Sequence, residues 1–184
     1  MINFRHLATT VGLTATLLAP ATAATAAPAA YPGDAAFLTA AHQVNLAEIA
    51  AGRIAFTKSA DPVVKGLAVT FMRDHIRLDG QLTQVARQLR VPLPPEPNEE
   101  QQSLARGYEA AGPDTFDEYF ITTQLAAHRK SLAMVEAAVA EGDSAEVRTL
   151  AGGAAPVIER HHDALHEAAV EEGIAGYLDH GGRA

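Results

Sequence analysis

Four long segments of the sequence carry apolar residues at alternating steps of four and three positions. This spacing places the apolar residues on one face of an α-helix, and helices of this kind pack together along those faces. Clusters of β-branched residues are few, and proline and glycine fall mostly in groups between the segments. The sequence therefore predicts an all-α protein, an antiparallel four-helix bundle, with helices over about 34–58, 61–90, 114–141 and 144–172.

Capping and turn residues predict where these helices begin and end. Asp34 is a candidate N-cap for the first helix, and Asp61 followed by proline is a strong start signal for the second. The Pro-rich connection 91–97 ends the second helix, and a short extra helix is expected over 99–111, between helices two and three. Pro156 predicts a break or kink in the fourth helix.

Each of the four apolar faces is interrupted by one ionisable residue. The four residues are Glu48, His75, His128 and His161. The first three lie near the midpoints of their helices, and antiparallel helices of similar length bring their midpoints to one level. We therefore expect a buried cluster of one carboxylate and three imidazoles in the middle of the bundle.

Two interpretations of this cluster are open at the level of the sequence. All four residues are candidate ligands for one divalent transition metal ion, such as Zn, Mn, Fe or Cu, because neutral imidazoles and a carboxylate suit such ions. Alternatively, they form a metal-free polar network that fixes helix register. Asn45, Asp79 and Gln124 lie one turn from these positions and are candidates to orient them. Asp74 is expected to face water or to pair with Arg77.

The composition excludes several other kinds of site. The sequence has no cysteine, which excludes disulfides, Cys-based zinc sites and iron–sulfur clusters. Its 22 acidic residues outnumber its 14 basic ones, which argues against a nucleic-acid partner. The sequence shows no Ser-His-Asp order, phosphate-binding loop or zincin motif. We therefore assign no catalytic and no organic-cofactor-binding residues, and expect a binding or structural protein rather than an enzyme.

The N-terminal residues have the pattern of a secretory signal peptide. Arg5 precedes the apolar stretch 7–19, and small residues then offer a cleavage site near Ala26. This stretch of about 13 residues is too short to span a bilayer, and no later segment is long and apolar enough. We therefore expect export to the periplasm or the cell exterior, with no transmembrane segment in the mature chain. The expected divisions are a signal peptide over 1–26, a linker over 27–33, a helical domain over 34–172 and a flexible tail over 173–184.

The other histidines are expected outside the buried cluster. His162 and His166 stand one helical turn apart, beside the apolar face, and are interpreted as a solvated surface pair. His42 and His180 are expected to be peripheral. The cluster thus takes three of the eight histidines in the sequence.

A series of landmarks extends over about residues 34–170. They are Asn45-Leu-Ala-Glu48, Asp74-His75, Val91-Pro-Leu-Pro94, Phe116-Asp-Glu-Tyr119, His128 and Arg160-His161. In this order they resemble a secreted ferritin-like family catalogued as domain of unknown function 4142. The resemblance implies a ferritin-like four-helix bundle, exported from a bacterial cytoplasm and without an established activity. A ferritin-like di-iron site needs two Glu-x-x-His pairs, whereas the predicted helices contain one, so di-iron chemistry is not expected.

Two functions are consistent with these features. The first is an exported metal-binding or redox-protective protein that uses Glu48 and the three histidines. The second is a non-catalytic envelope or stress-associated module, to which a partner binds through the Pro-rich connection and the acidic residues Glu99 and Glu100. A homodimer is expected if an apolar stripe of the first helix, formed by Leu38, Ile49 and Phe56, is left uncovered.

Overall fold

The computed structural model describes residues 32–174, and its regular elements are all helices. They are α1 (Pro32–Lys58), α2 (Pro62–Gln88), α3 (Glu99–Ala110), α4 (Pro113–Glu141) and α5 (Ala145–Glu171). The predicted fold, four long helices with a short extra helix between the second and third, is confirmed. The predicted signal peptide, most of the linker and residues 175–184 of the tail lie outside the described residues.

The long helices are arranged so that neighbours in the bundle are antiparallel. Three residues join α1 to α2, and three join α4 to α5, so each of these pairs is antiparallel. In addition, α1 packs on α4, and α2 packs on α5. The connection from α2 to α4 crosses to the opposite end of the bundle, where Lys58 Nζ at the end of α1 donates a hydrogen bond to Glu109 O at 2.6 Å. One long crossover of this kind is the ferritin-like arrangement of a four-helix bundle.

Local capping explains where α2 and α3 begin. The Asp61 carboxylate accepts hydrogen bonds from the backbone N–H groups of Val63 and Val64, at 2.7 and 3.0 Å, as expected for an N-cap followed by proline. At the start of α3, Asn98 and Gln101 form a reciprocal capping box. These caps satisfy backbone N–H groups in the first turns of α2 and α3.

Asp34 is not the N-cap of α1. The helix begins two residues earlier, at Pro32, because a proline in the first turn lacks the N–H group that would need a cap. The buried Asp34 carboxylate instead accepts hydrogen bonds from the backbone N–H groups of Asp143 and Ser144, at 3.0 and 2.9 Å. One buried side chain thus joins the start of α1 to the turn between α4 and α5.

The expected break at Pro156 is absent, since α5 continues through that residue as one helix. Ala151 before the proline and Ile158 after it are both buried in the same apolar cluster. Packing on both sides of the proline holds the helix together despite the missing backbone hydrogen bond.

Two apolar clusters fill the interior, and the three histidines of the predicted cluster lie between them. On each of α2, α4 and α5, residues of one apolar cluster lie on the N-terminal side of the histidine, and residues of the other cluster lie on its C-terminal side. The first cluster includes Phe71, Leu125 and Leu165, and the second includes Leu82, Val135 and Ile158. The histidines therefore form a polar layer inside an otherwise apolar bundle.

The surface of α1 does not carry the continuous apolar stripe considered above. Leu38 is fully buried, whereas Phe56 is 49% exposed.

Ile174, in the predicted flexible tail, is buried against the first apolar cluster. Across residues 32–174, no helix combines the length and the apolar character needed to cross a membrane.

Candidate metal centre

Three histidine rings meet in the middle of the bundle. His75 of α2, His128 of α4 and His161 of α5 are each at most 2% exposed. Their ring centroids form a nearly equilateral triangle with sides of 5.9, 5.5 and 5.5 Å. One ligand nitrogen from each ring lies within 4.8 Å of the other two. The structure therefore brings together the three histidines that the sequence places on inward faces, and we call them the triad.

In two triad rings the Nδ1 atom is held by an oxygen from a neighbouring turn or helix. His75 Nδ1 lies 2.9 Å from Asn45 Oδ1 of α1. The Asn45 amide nitrogen donates to Asp79 at 3.4 Å, which is consistent with its oxygen facing the imidazole. His128 Nδ1 lies 3.0 Å from the backbone oxygen of Gln124. Because both oxygens only accept hydrogen bonds, the proton of each ring is on Nδ1.

The third ring is held by Asp74. His161 Nε2 lies 3.0 Å from one carboxylate oxygen of Asp74, and Arg73 Nε donates to the other oxygen at 2.9 Å. The expectation that Asp74 faces water or pairs with Arg77 is therefore wrong, because α2 and α5 are neighbours and the carboxylate spans the gap between them. The ring proton of His161 is on Nε2, again because the partner is an acceptor.

The opposite nitrogens of the three rings face inward and are unpaired. His75 Nε2, His128 Nε2 and His161 Nδ1 are buried and have no hydrogen-bond partner in the described part of the chain. Since their rings carry protons on the other nitrogen, these three atoms present lone pairs. Leaving buried polar atoms unpaired is unfavourable. Metal-ligating histidines have this arrangement, with the second nitrogen donating to an oxygen.

The spacing of these nitrogens fits one ion after a small adjustment. Bonds of about 2.1 Å place two nitrogens on a tetrahedral ion about 3.4 Å apart. The nitrogens lie within 4.8 Å of one another, so the rings need to approach by roughly 1.4 Å at most when an ion binds.

The electrostatic environment keeps the triad neutral. Burial, with repulsion from the other two rings, lowers the pKa of His75 well below its usual value. Burial lowers the pKa of His128 to about 3. Burial also lowers the pKa of His161, although the hydrogen bond to Asp74 opposes this shift. Neutral imidazole is the form that binds a metal, so no proton needs to be removed from these nitrogens at pH 7.

Phe71 and a small cavity complete the surroundings of the triad. The Phe71 ring lies 5.0 Å from that of His128 and 4.5 Å from that of His161, between centroids, and covers one side of the site. On another side, a cavity of about 30 Å³ reaches His75 and is lined mainly by apolar residues such as Leu78 and Leu82. This volume accommodates a water molecule.

Glu48, the fourth candidate ligand, is buried but does not belong to the group of converging nitrogens. With the Gln124 amide nitrogen oriented toward it, that nitrogen lies 2.8 and 3.2 Å from the two Glu48 carboxyl oxygens, and the amide oxygen accepts from Tyr108 at 3.3 Å. Burial raises the pKa of Glu48 to about 8, partly offset by the Gln124 hydrogen bond. The structure thus places Glu48 in a pocket shared with α3 and α4.

His42 connects the crossover segment to the triad. Its Nδ1 lies 2.6 Å from an Asp79 carboxylate oxygen, and its Nε2 lies 3.0 Å from the backbone oxygen of Pro94. Asp79 also accepts from Asn45, which holds His75. The sequence signal for this link is the spacing of His42 three residues before Asn45, which places both residues on one face of α1.

His162 and His166 lie outside the triad, as the sequence predicts. Both are partly exposed. His162 Nδ1 is 3.9 Å from the exposed carboxylate of Asp163. These two residues are therefore distinct from the buried ligand set.

Comparison with known proteins identifies one matching family. The profile of a family described as Domain of unknown function (DUF4142) matches residues 19–168, which include nearly all of the helical bundle. No protein of curated function gives a significant match.

Two solved structures are similar to this chain. One is the crystal structure of a DUF305 fragment from Deinococcus radiodurans, with a TM-score of 0.69 and 15% identity, covering 78% of this chain and 99% of that one. The other is CopM in the Cu(I)-bound form, with a TM-score of 0.63 and 18% identity, covering 76% of this chain and 96% of that one. At these identities the similarity shows a shared helical fold.

Proposed function

The chain belongs to the family described as Domain of unknown function (DUF4142), and we propose that it binds one divalent transition metal ion inside its bundle. The triad His75, His128 and His161 supplies the three protein ligands. The observation that carries this proposal is the set of three buried, inward-facing nitrogens that lack a hydrogen-bond partner within residues 32–174.

The donor set favours Zn²⁺ or Cu²⁺ among the ions considered, because nitrogen sites generally bind both more tightly than Fe²⁺ or Mn²⁺. Neutral imidazoles suit zinc, copper, iron and nickel, whereas manganese prefers oxygen ligands. Without a carboxylate in the triad, manganese is the least suitable of the four expected ions. A water molecule in the cavity beside His75 would complete a four-coordinate site.

A metal-free polar network is the alternative to this proposal. Such a network stabilises a core when every buried polar atom is paired. In the triad the outer nitrogens are paired and the inner ones are not, over the part of the chain that the structure describes. This pattern supports an ion at the centre.

The comparison with CopM is compatible with metal binding, but the proposal does not rest on it. That protein is described in a Cu(I)-bound form, and its similarity to this chain is one of fold.

We propose that the metal is bound by the exported, mature chain, after cleavage near Ala26. Binding of an envelope partner through the Pro-rich connection and Glu99 or Glu100 stays a prediction.

Replacing Asp74 tests the proposal without removing a ligand. Asp74→Ala is expected to weaken metal binding by about 10- to 100-fold, because the acceptor that orients His161 is lost. The affinity is measured by competition with a chromophoric chelator at pH 7. Asp163→Ala is the matched control, since it removes an exposed carboxylate that lies next to His162 on α5 and does not contact the triad. Equal affinities for the two variants would contradict the assignment of the triad as the site.

A further inference from the structure

A larger cavity, separate from the triad, lies between α1, α3 and α4. Its volume is about 390 Å³, which falls in the range of small-molecule binding sites. Most of its wall is apolar, including Val44, Ala47, Ala51, Leu104 and Ala126. The short helix α3, which the crossover segment carries across the bundle, covers this cavity.

Most polar groups of the wall bond to one another. Tyr108 Oη lies 2.7 Å from Thr123 Oγ1 and also reaches the Gln124 amide. The Gln124 amide nitrogen faces both oxygens of the Glu48 carboxyl. When Glu48 is ionised, this amide group can donate to its carboxylate oxygens, so the anion that forms when a cation binds keeps a hydrogen bond from the protein.

The Glu48 carboxyl lacks a cationic partner among the residues that line the cavity. Lys130 is the single cationic residue of that wall, and it is an exposed side chain that donates to Glu100 at 3.2 Å. Glu48 itself is 6% exposed. A buried carboxylate without a counter-ion is unfavourable, and a cation placed beside it removes this penalty.

We propose that this cavity binds an organic cation with a short apolar body, such as a primary alkylammonium ion, whose charged group pairs with Glu48. The alkyl chain would lie against the apolar wall between α1, α3 and α4. The cavity is far larger than a bare metal ion requires. The negative formal charge of the chain, −8, also favours a cationic ligand over an anionic one.

The ionisation of Glu48 supports the proposal. Burial raises the pKa of its carboxyl to about 8. The Glu48 carboxyl is therefore protonated at pH 7 when the cavity is empty, and a cation that binds beside it displaces this proton. The other titratable groups on the cavity wall are Tyr108, whose pKa burial also raises, and the ion pair of Glu100 and Lys130.

Calorimetric titration of the metal-free protein with n-hexylamine at pH 7 tests the proposal, with 1-hexanol as the neutral analogue. We expect hexylammonium to bind more tightly than hexanol and to release close to one proton, seen as a dependence of the heat on the buffer. Glu48→Gln is expected to weaken hexylammonium binding at least about 10-fold, the loss of one charge-assisted contact, and to abolish the proton release. Hexanol binding should be unchanged.

Two further variants separate this cavity from the metal centre. Ala105→Phe fills the cavity from α3 and should abolish binding of both ligands, even if Glu48→Gln proves unstable. His128→Ala should leave hexylammonium binding intact, so failure of the metal proposal would not affect this result. Equal binding of the two ligands, or an unchanged affinity in Glu48→Gln, would overturn the proposal. Loss of amine binding in His128→Ala but not in Ala105→Phe would overturn it as well.

Discussion

Saturating the metal-free protein with Zn²⁺ is expected to raise its thermal unfolding midpoint by about 5–10 °C. An ion that binds only the folded chain stabilises it by about 2.7 kcal/mol at one hundred times its dissociation constant. For a chain of this size, each kcal/mol shifts the midpoint by about 2–4 °C. His128→Ala removes one of three ligands and should reduce the shift to near zero. Differential scanning calorimetry with and without the ion measures both.

The control for this experiment removes the neighbouring histidines and leaves the triad intact. A variant carrying His162→Gln and His166→Gln should keep the full zinc-dependent shift. Both residues are partly exposed on α5, and histidines at such positions bind zinc or nickel adventitiously. A shift that disappears in this variant and persists in His128→Ala would place the ion on the surface and contradict the proposed centre.

Acid is expected to destabilise the metal-free protein through the same three rings. Their pKa values are lowered in the folded chain, whereas unfolded histidines bind protons near pH 6.5. The unfolded state therefore binds more protons below that pH, and stability falls as the pH falls toward the folded values. Replacing His128 by Gln removes one of the extra protons that the unfolded chain binds. The fall in the free energy of unfolding between pH 6 and pH 4 should therefore become shallower by about 1.4 kcal/mol per pH unit.

Glu48 acts in the opposite direction and provides the internal control. The pKa of Glu48 is raised from 4.5 to about 8 in the folded chain. Its stabilising contribution to the free energy of unfolding is therefore fully present below the unfolded pKa and is lost as the pH rises toward 8. Glu48→Gln should therefore make the acid-induced fall between pH 5 and pH 6 steeper. Urea unfolding at a series of pH values measures both slopes. Identical slopes in the wild type and His128→Gln would show that His128 is not held neutral in the core.

The spacing of apolar residues was sufficient to predict the fold and the inward position of the triad. A histidine at a position of the apolar repeat has to face the interior, and helices of similar length bring such positions to one level. The same argument does not say which neighbouring helix a side chain meets. Glu48 faces inward as predicted, yet it meets Gln124 of α4 and a cavity under α3.

The contacts that sequence reasoning missed are made between helices by polar side chains at the edge of the core. Asp74 does not lie on the apolar face of α2, but its carboxylate reaches His161 across the α2–α5 contact. Asp34 is a residue type that commonly caps the start of its own helix, but its carboxylate instead accepts a hydrogen bond from the backbone of Asp143, 109 residues away in sequence. Helical periodicity describes one helix at a time, and these bonds depend on the relative position of two.

The central claim, one ion held by the triad, is tested most directly by the metal content of the mature chain purified without a histidine tag. After equilibration with Zn²⁺ and then Cu²⁺ and removal of free ions, elemental analysis should find close to one ion per wild-type chain. His75→Ala and His128→Ala should each contain only trace metal while remaining folded by circular dichroism. A wild-type chain with only trace metal, or a histidine variant with the wild-type content, would contradict the account.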